Sequence, residues 1–202
     1  MATVGIRIGP ADQGRRMTLE EFMEADEAEG YRYELARGVL EVTKVPNDPH
    51  WQIVSNLGRW IHRYWNEHPR LIQRVGGGGE CQVWIPKLES GRNPDYAIVL
   101  KGTPKDARGR QPPSWVAEVV SPGGEERDYT EKREEYLALG IREYWIVDPE
   151  LQRVTVLSRQ EVDGSANWTE RVFGGEEMIE SPLLPGFRGA VAALWADVDS
   201  DG

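Results

Sequence analysis

The chain is poor in cysteine, in long apolar runs and in positive charge, and each shortage removes a class of protein. Its single cysteine, Cys81, can form no intrachain disulfide and cannot supply a zinc cluster, which points to a reducing interior. No run reaches the roughly 18 apolar residues of a membrane span, and residues 1–17 lack the apolar core of a signal peptide, so a cytoplasmic protein without a membrane partner is expected. Lys and Arg number 24 against 34 acidic residues, a formal net charge of −10. That balance disfavours polyanion binding through a broad basic surface, so any nucleic-acid contact must be local or metal-assisted. Glycine (22) and proline (13) stay below low-complexity proportions, while 39% apolar content and 8 Trp can build a core.

With 202 residues, the length matches about one domain of roughly 150. Residues 17–198 are expected as that single domain, residues 1–16, with Gly5, Gly9, Pro10 and Gly14, as a flexible N-terminal arm, and residues 199–202 as a frayed tail. Thr18 followed by Glu21 is a capping box that opens a short helix ending near Gly30. Apolar residues on both sides of Arg37-Gly38 predict a hairpin over residues 31–44. Trp51, Val54, Leu57, Ile61 and Trp65 recur at spacings of three and four, the pattern of an amphipathic helix over residues 50–65. Strands are expected at residues 80–85, 94–100, 115–120 and 143–147, each short and rich in Val, Ile and aromatics. Gly76 to Gly79 reads as a mobile turn, since no Lys-Ser/Thr pair follows to make a phosphate cradle.

Asp128 and Glu131 form a second capping box for a helix that closes at Gly140, and the glutamates at 125, 126, 131, 134 and 135 read as its solvated face. Residues 152–158 and 168–173 then form a meander with Asp163-Gly164 near the bend. Trp145 and Tyr144 read as core, and Asp148 before Pro149 as a turn residue.

The chemistry concentrates in two acids. Asp95 opens a strand after Pro94, and Glu118 interrupts the apolar series Trp115, Val116, Val119 and Val120. Two carboxylates on neighbouring buried strands repel each other, and a divalent cation, Mg²⁺ or Mn²⁺, is the simplest compensation. The alternative is a half-exposed edge strand with both carboxylates turned to water. Lys101, Lys105, Arg108 and Arg110, opposed only by Asp106, form a basic loop that is either a local phosphate clamp or a solvated loop.

Taken in order, Tyr33-Glu34-Leu35, Asn93-Pro94-Asp95, Ala117-Glu118-Val119-Val120-Ser121-Pro122, Lys132 with Tyr136, and the run from Gly140 through Glu143-Tyr144-Trp145 to Asp148-Pro149 resemble the Uma-two restriction endonuclease family of the PD-(D/E)XK nuclease superfamily. The likeness spans roughly residues 17–187. It implies an α/β (α+β) fold with a restriction-endonuclease-like core, a mixed β-sheet flanked by helices, an N-terminal helix and hairpin, and a C-terminal β-meander. It also implies a Mg²⁺-dependent endonuclease that hydrolyses DNA phosphodiester bonds as a homodimer, with Asp95, Glu118 and the Val119 backbone carbonyl as metal ligands.

The superfamily lysine is expected two residues after the second acid, where Val120 stands; the matching position in Uma-two-like chains is Lys132 on the following helix. Glu34 matches a family acid found near the metal, although its setting equally fits a solvent-facing strand residue. His50 matches a family histidine, for contact with phosphate or water, or as a structural residue at the helix start. The family's usual Asp-Gly turn is here Arg37-Gly38. The competing function is a non-catalytic nucleic-acid-binding or regulatory module that keeps the nuclease fold, supported by the net charge of −10.

Overall fold

The computed structural model describes residues 5–45 and 49–198, so the expected tail and the first four residues of the expected arm lie outside the described residues. The chain forms two compact units where a single domain was expected: Met1–Pro46 with Gln82–Asn93, and Asn47–Cys81 with Pro94–Gly202.

The first unit holds a four-stranded sheet in the order Val39–Lys44, Tyr31–Ala36, Ser90–Arg92, Val83–Ile85. Its hairpin turns at Arg37 and Gly38, at φ 48° and 78°. Two successive left-handed residues match the twist of the flanking strands. The helix Leu19–Met23 starts as expected: Glu21 N donates to Thr18 Oγ1, and Thr18 N donates to Glu21 Oε2 at 2.7 Å. It ends earlier than Gly30 because Asp26–Glu27 pairs in parallel with Arg7–Ile8. That pairing corrects the arm: Ile8 is fully buried in a core with Leu19, Phe22, Tyr33, Leu35 and Leu40.

The second unit is built on a six-stranded mixed sheet, ordered Ser165–Gly174, Arg153–Val162, Glu143–Asp148, Trp115–Val119, Tyr96–Leu100, Ile72–Gly76. Within this sheet only Trp115–Val119 and Glu143–Asp148 run parallel, and the chain crosses between them through the helix Lys132–Leu139. Side chains alternate along each strand and divide the sheet into two faces. On one face Ile98, Trp115, Ala117, Val119 and Trp145 pack with Ile53, Leu57 and Ile61 of the helix His50–Glu67. The other face presents Val116, Glu118, Tyr144 and Ile146 toward the Lys132 helix, whose Tyr136 ring meets Tyr144 edge-on at 5.0 Å. Helices therefore flank the sheet, and the fold is mixed α+β. The C-terminal hairpin turns at Asp163 and Gly164, again both left-handed, between strands of ten residues each. Among the described residues no helix is long and apolar enough to cross a membrane.

The Lys132 helix ends as expected at left-handed Gly140, whose N–H reaches the carbonyls of Tyr136 and Leu137. Its beginning differs. Asp128 is no cap, because the helix is already under way at residue 125 and passes through a π-helical turn, Arg127–Glu131, in which Lys132 N donates to the Arg127 carbonyl. Glu135 also departs from the expected solvated face, being fully buried.

Candidate active site

Asp95 immediately precedes the strand Tyr96–Leu100, which pairs with Trp115–Val119 through Tyr96↔Ala117 and Ile98↔Trp115. The paired register ends there, one residue short of Asp95 and Glu118; Asp95 meets His50 of the helix that packs on the Trp115 and Trp145 face, while Glu118 stands on the face presented to the Lys132 helix. Both acids are buried, at 5% and 1% exposure, so the half-exposed edge strand does not describe them. Asp95 Oδ2 accepts a hydrogen bond from Val119 N at 2.8 Å and so replaces the carbonyl that a longer strand would supply to the ladder. His50 Nε2, from the first turn of the long helix, lies 3.1 Å from the same oxygen.

The glycine run supports this corner. Gly78 N donates to the Pro94 carbonyl at 2.8 Å, and a Cβ built on Gly77 would stand 2.1 Å from the Asp95 carbonyl oxygen. In place of a mobile turn, the run makes a close backbone approach in which Gly77 admits no side chain.

Glu118 points at the Lys132 helix. Its Oε1 accepts a hydrogen bond from Tyr136 Oη at 2.5 Å and lies 3.0 Å from Lys132 Nζ. The ammonium also lies 3.3 Å from Asp128 Oδ1, one turn earlier. Asp128, Lys132 and Tyr136 are all buried, at 1%, 2% and 0% exposure, which rules out a solvated surface lysine. Tyr144 Oη donates to the Asp128 carbonyl at 2.9 Å and pins the π turn to the sheet. The sequence alone suggests no part in the site for Asp128 or Gly77; the spacing Asp128-Lys132-Tyr136 is the signal that could have exposed the first.

Glu34 belongs to the first unit. Its Oε1 accepts from Asn93 N at 2.7 Å, and its Oε2 lies 3.4 Å from Nη1 of Arg92, a fully buried arginine that also pairs with Glu41. The solvent-facing reading of Glu34 does not hold. The basic loop lies at the other end of the Tyr96–Leu100 strand from Asp95, about 20 Å away at the rise of an extended chain. There Lys101 and Lys105 line a cavity of about 570 Å³ together with Thr103, Ser114 and Arg142. The loop is organised by Asp106, whose Oδ1 accepts from Arg108 N and Arg110 N at 2.9 and 2.8 Å.

The donor chemistry fits a hard divalent cation. Asp95 and Glu118 offer carboxylate oxygens, and a strand residue's N–H and C=O leave on the same side, so the Val119 carbonyl is turned with its N–H toward Asp95. Among the described residues no three His, Cys, Asp or Glu side chains are grouped to hold a metal ion. A cation held by both acids would need Asp95 and Glu118 to turn toward it, with its shell completed by main-chain oxygen and water.

The mixed sheet flanked by helices has a counterpart among solved structures. The fold matches the crystal structure of a putative nuclease belonging to DUF820 from Anabaena variabilis with a TM-score of 0.69 and 20% identity, over 89% of this chain and 97% of that one. Residues 19–193 match the Uma2 family, described as putative restriction endonuclease, and the chain belongs to that family. No curated protein matches the sequence. Membership of a restriction-endonuclease family supports a nuclease function.

Proposed function

We propose that the protein is a Mg²⁺- or Mn²⁺-dependent endonuclease of the PD-(D/E)XK type that hydrolyses DNA phosphodiester bonds. The observation that carries this reading is the 3.0 Å contact between Lys132 Nζ and Glu118 Oε1 out of water. A lysine from another element reaches the second acid even though Val120 occupies the usual lysine position. Asp95, Glu118 and the Val119 carbonyl would hold the cation, which when bound neutralises charge on the phosphate and acidifies water. His50 keeps Asp95 oriented and Tyr136 fixes Glu118, the outer contacts that metal-ligating carboxylates need.

Lys132 donates to the scissile phosphate as negative charge grows on its oxygens, and it orients the attacking water. Glu34 holds the Asn93 main chain within the first unit. Lys101, Lys105, Arg108 and Arg110 serve flanking phosphates, since their distance from Asp95 exceeds the reach of one phosphate group. A homodimer would bring two such sites to the two strands of a duplex, and the reducing setting inferred from the lone cysteine is the cytoplasm.

The test is cleavage of plasmid, linear and single-stranded DNA with Mg²⁺, with Mn²⁺ and with chelator. Metal-dependent nicking or cutting is expected. Binding of the same DNAs without cleavage in either metal would replace the enzyme with the binding or regulatory module. Asp95→Asn should keep the fold and lose the metal, because removing one charge from an acidic pair relieves repulsion in the metal-free protein. An unchanged Mn²⁺ titration in that variant would remove Asp95 from the ligand set.

A further inference from the structure

The Lys132 ammonium stands between two buried carboxylates of different provenance. Glu118 belongs to the sheet, whereas Asp128 belongs to the π turn just before Lys132 and moves with the same helix. Two carboxylates around one ammonium leave an excess of negative charge where water does not reach, and such a charge needs partners. Asp128 Oδ1 has a second cationic neighbour, Arg127 Nε at 3.4 Å. Glu118 Oε1 has the Tyr136 hydroxyl. Both carboxylates are thus held from two sides.

Resting on the nuclease reading above, we propose that Asp128 is a positioning residue that retains Lys132 at the site when a divalent cation takes over the charge of Glu118. A cation on Glu118 repels the neighbouring ammonium and uses the same carboxylate. Lys132 then needs a carboxylate that is not a ligand, and Asp128 supplies it from one helical turn away. With Asp128 neutral, Lys132 depends more heavily on Glu118 and competes with the cation for it. Asp128 therefore governs how easily the site accepts metal as well as where the lysine remains afterwards.

The experiment titrates Mn²⁺ alone into the full chain, read by the electron paramagnetic resonance signal of free Mn²⁺, for the wild type, Asp128→Asn, Lys132→Gln and the double variant. Asp128→Asn should weaken Mn²⁺ binding about tenfold when Lys132 is present and less than about twofold when it is glutamine, a coupling of the size contacting residues show. Equal weakening in both backgrounds would make Asp128 a plain negative charge and overturn the inference. A lower melting temperature with unchanged Mn²⁺ affinity would make it merely structural and overturn the inference as well. Should Lys132→Gln fail to fold, Asp128→Glu in the wild-type background decides: recovery to within about threefold of wild-type affinity supports the carboxylate's role, and affinity as weak as that of Asp128→Asn overturns it. In turnover, Asp128→Asn should lower kcat while leaving KM for DNA near its wild-type value. A wild type that binds no Mn²⁺ removes the metal reading itself, and this inference with it, whereas binding without coupling removes the inference alone.

Discussion

Glu118 and Glu143 sit on neighbouring parallel strands, both out of water, and are satisfied by opposite means. Glu143 is enclosed by neutral donors: Trp145 Nε1 and Ser181 Oγ donate to Oε1 at 2.7 Å each, and Leu183 N donates to Oε2 at 2.9 Å. Burial pushes its carboxyl above the usual carboxylate range, and those hydrogen bonds pull it partly back. Glu118 is held instead by an ammonium and a phenol from one helix. Neutral donors fixed by packing cannot be exchanged, so Glu143 is architecture; it ties the sheet to the segment around Ser181, whose Oγ in turn accepts from Leu184 N at 2.9 Å. An ammonium can give way to another cation, which is what the proposed metal role of Glu118 requires. Burial alone does not separate the two glutamates; the kind of compensation does.

The largest expected effect falls on the Glu118 side. Lys132→Ala should lower kcat by about two to four orders of magnitude, the worth of a positioned acid–base group, with Mn²⁺ affinity hardly reduced. A rise in KM at constant kcat would instead make Lys132 a phosphate-binding residue. On the other side, Glu143→Ala strands two buried donors and a half-buried one and should destabilise the fold by about 3 kcal/mol or more in urea unfolding, with kcat of the folded fraction near wild type. If its kcat collapses while folding survives, the division between the two glutamates is wrong.

A smaller effect is expected where main chain meets main chain. Gly77→Ala sets a methyl against the Asp95 carbonyl oxygen and should cost about 1–3 kcal/mol, the usual range for overpacking, and weaken Mn²⁺ binding as Asp95 shifts. Unchanged stability would mean that the glycine run yields freely. The smallest effect is a slope. Because the Glu143 carboxyl is raised in the folded state, the native protein keeps its proton over a pH range in which the unfolded chain has lost it. Stability from this group is full below the unfolded carboxyl's pKa and is lost as pH rises through the higher folded one. Unfolding free energies of wild type and Glu143→Gln, compared from acid to neutral pH, should therefore show the wild type losing ground with rising pH. A pH-independent difference would contradict the burial of that charge.

Periodicity exposes the elements that bury a regular stripe: the His50–Glu67 helix, the hairpin around Arg37-Gly38 and the central strands. It does not reveal Ile72–Gly76, an edge strand whose Gln73 and Arg74 face solvent, or Ser90–Arg92, three buried residues with no apolar side chain among them. No propensity signals a π turn, so the start of the Lys132 helix looks like a cap in the sequence. In the site, Glu118 stands out because a charge in an apolar run is anomalous, and Lys132 is found through a family pattern. Asp128 stays hidden because an acid four residues before a lysine on a helix ordinarily reads as a solvated pair. Only the burial of both separates the two cases.

The enclosure of Glu143 also bears on the order in which the nascent chain can finish folding. The last strand of the six-stranded sheet ends at Gly174, yet two of the three donors to Glu143 lie at residues 181 and 183. At about 5–20 residues per second of synthesis, some 40 residues separate Glu143 from its partners by roughly 2–8 s. During that interval the sheet can assemble around a glutamic acid that has Trp145 but lacks Ser181 and Leu183, and burial favours its neutral, protonated form. Docking of the C-terminal segment then brings the Ser181 and Leu183 donors to that carboxyl and completes its enclosure.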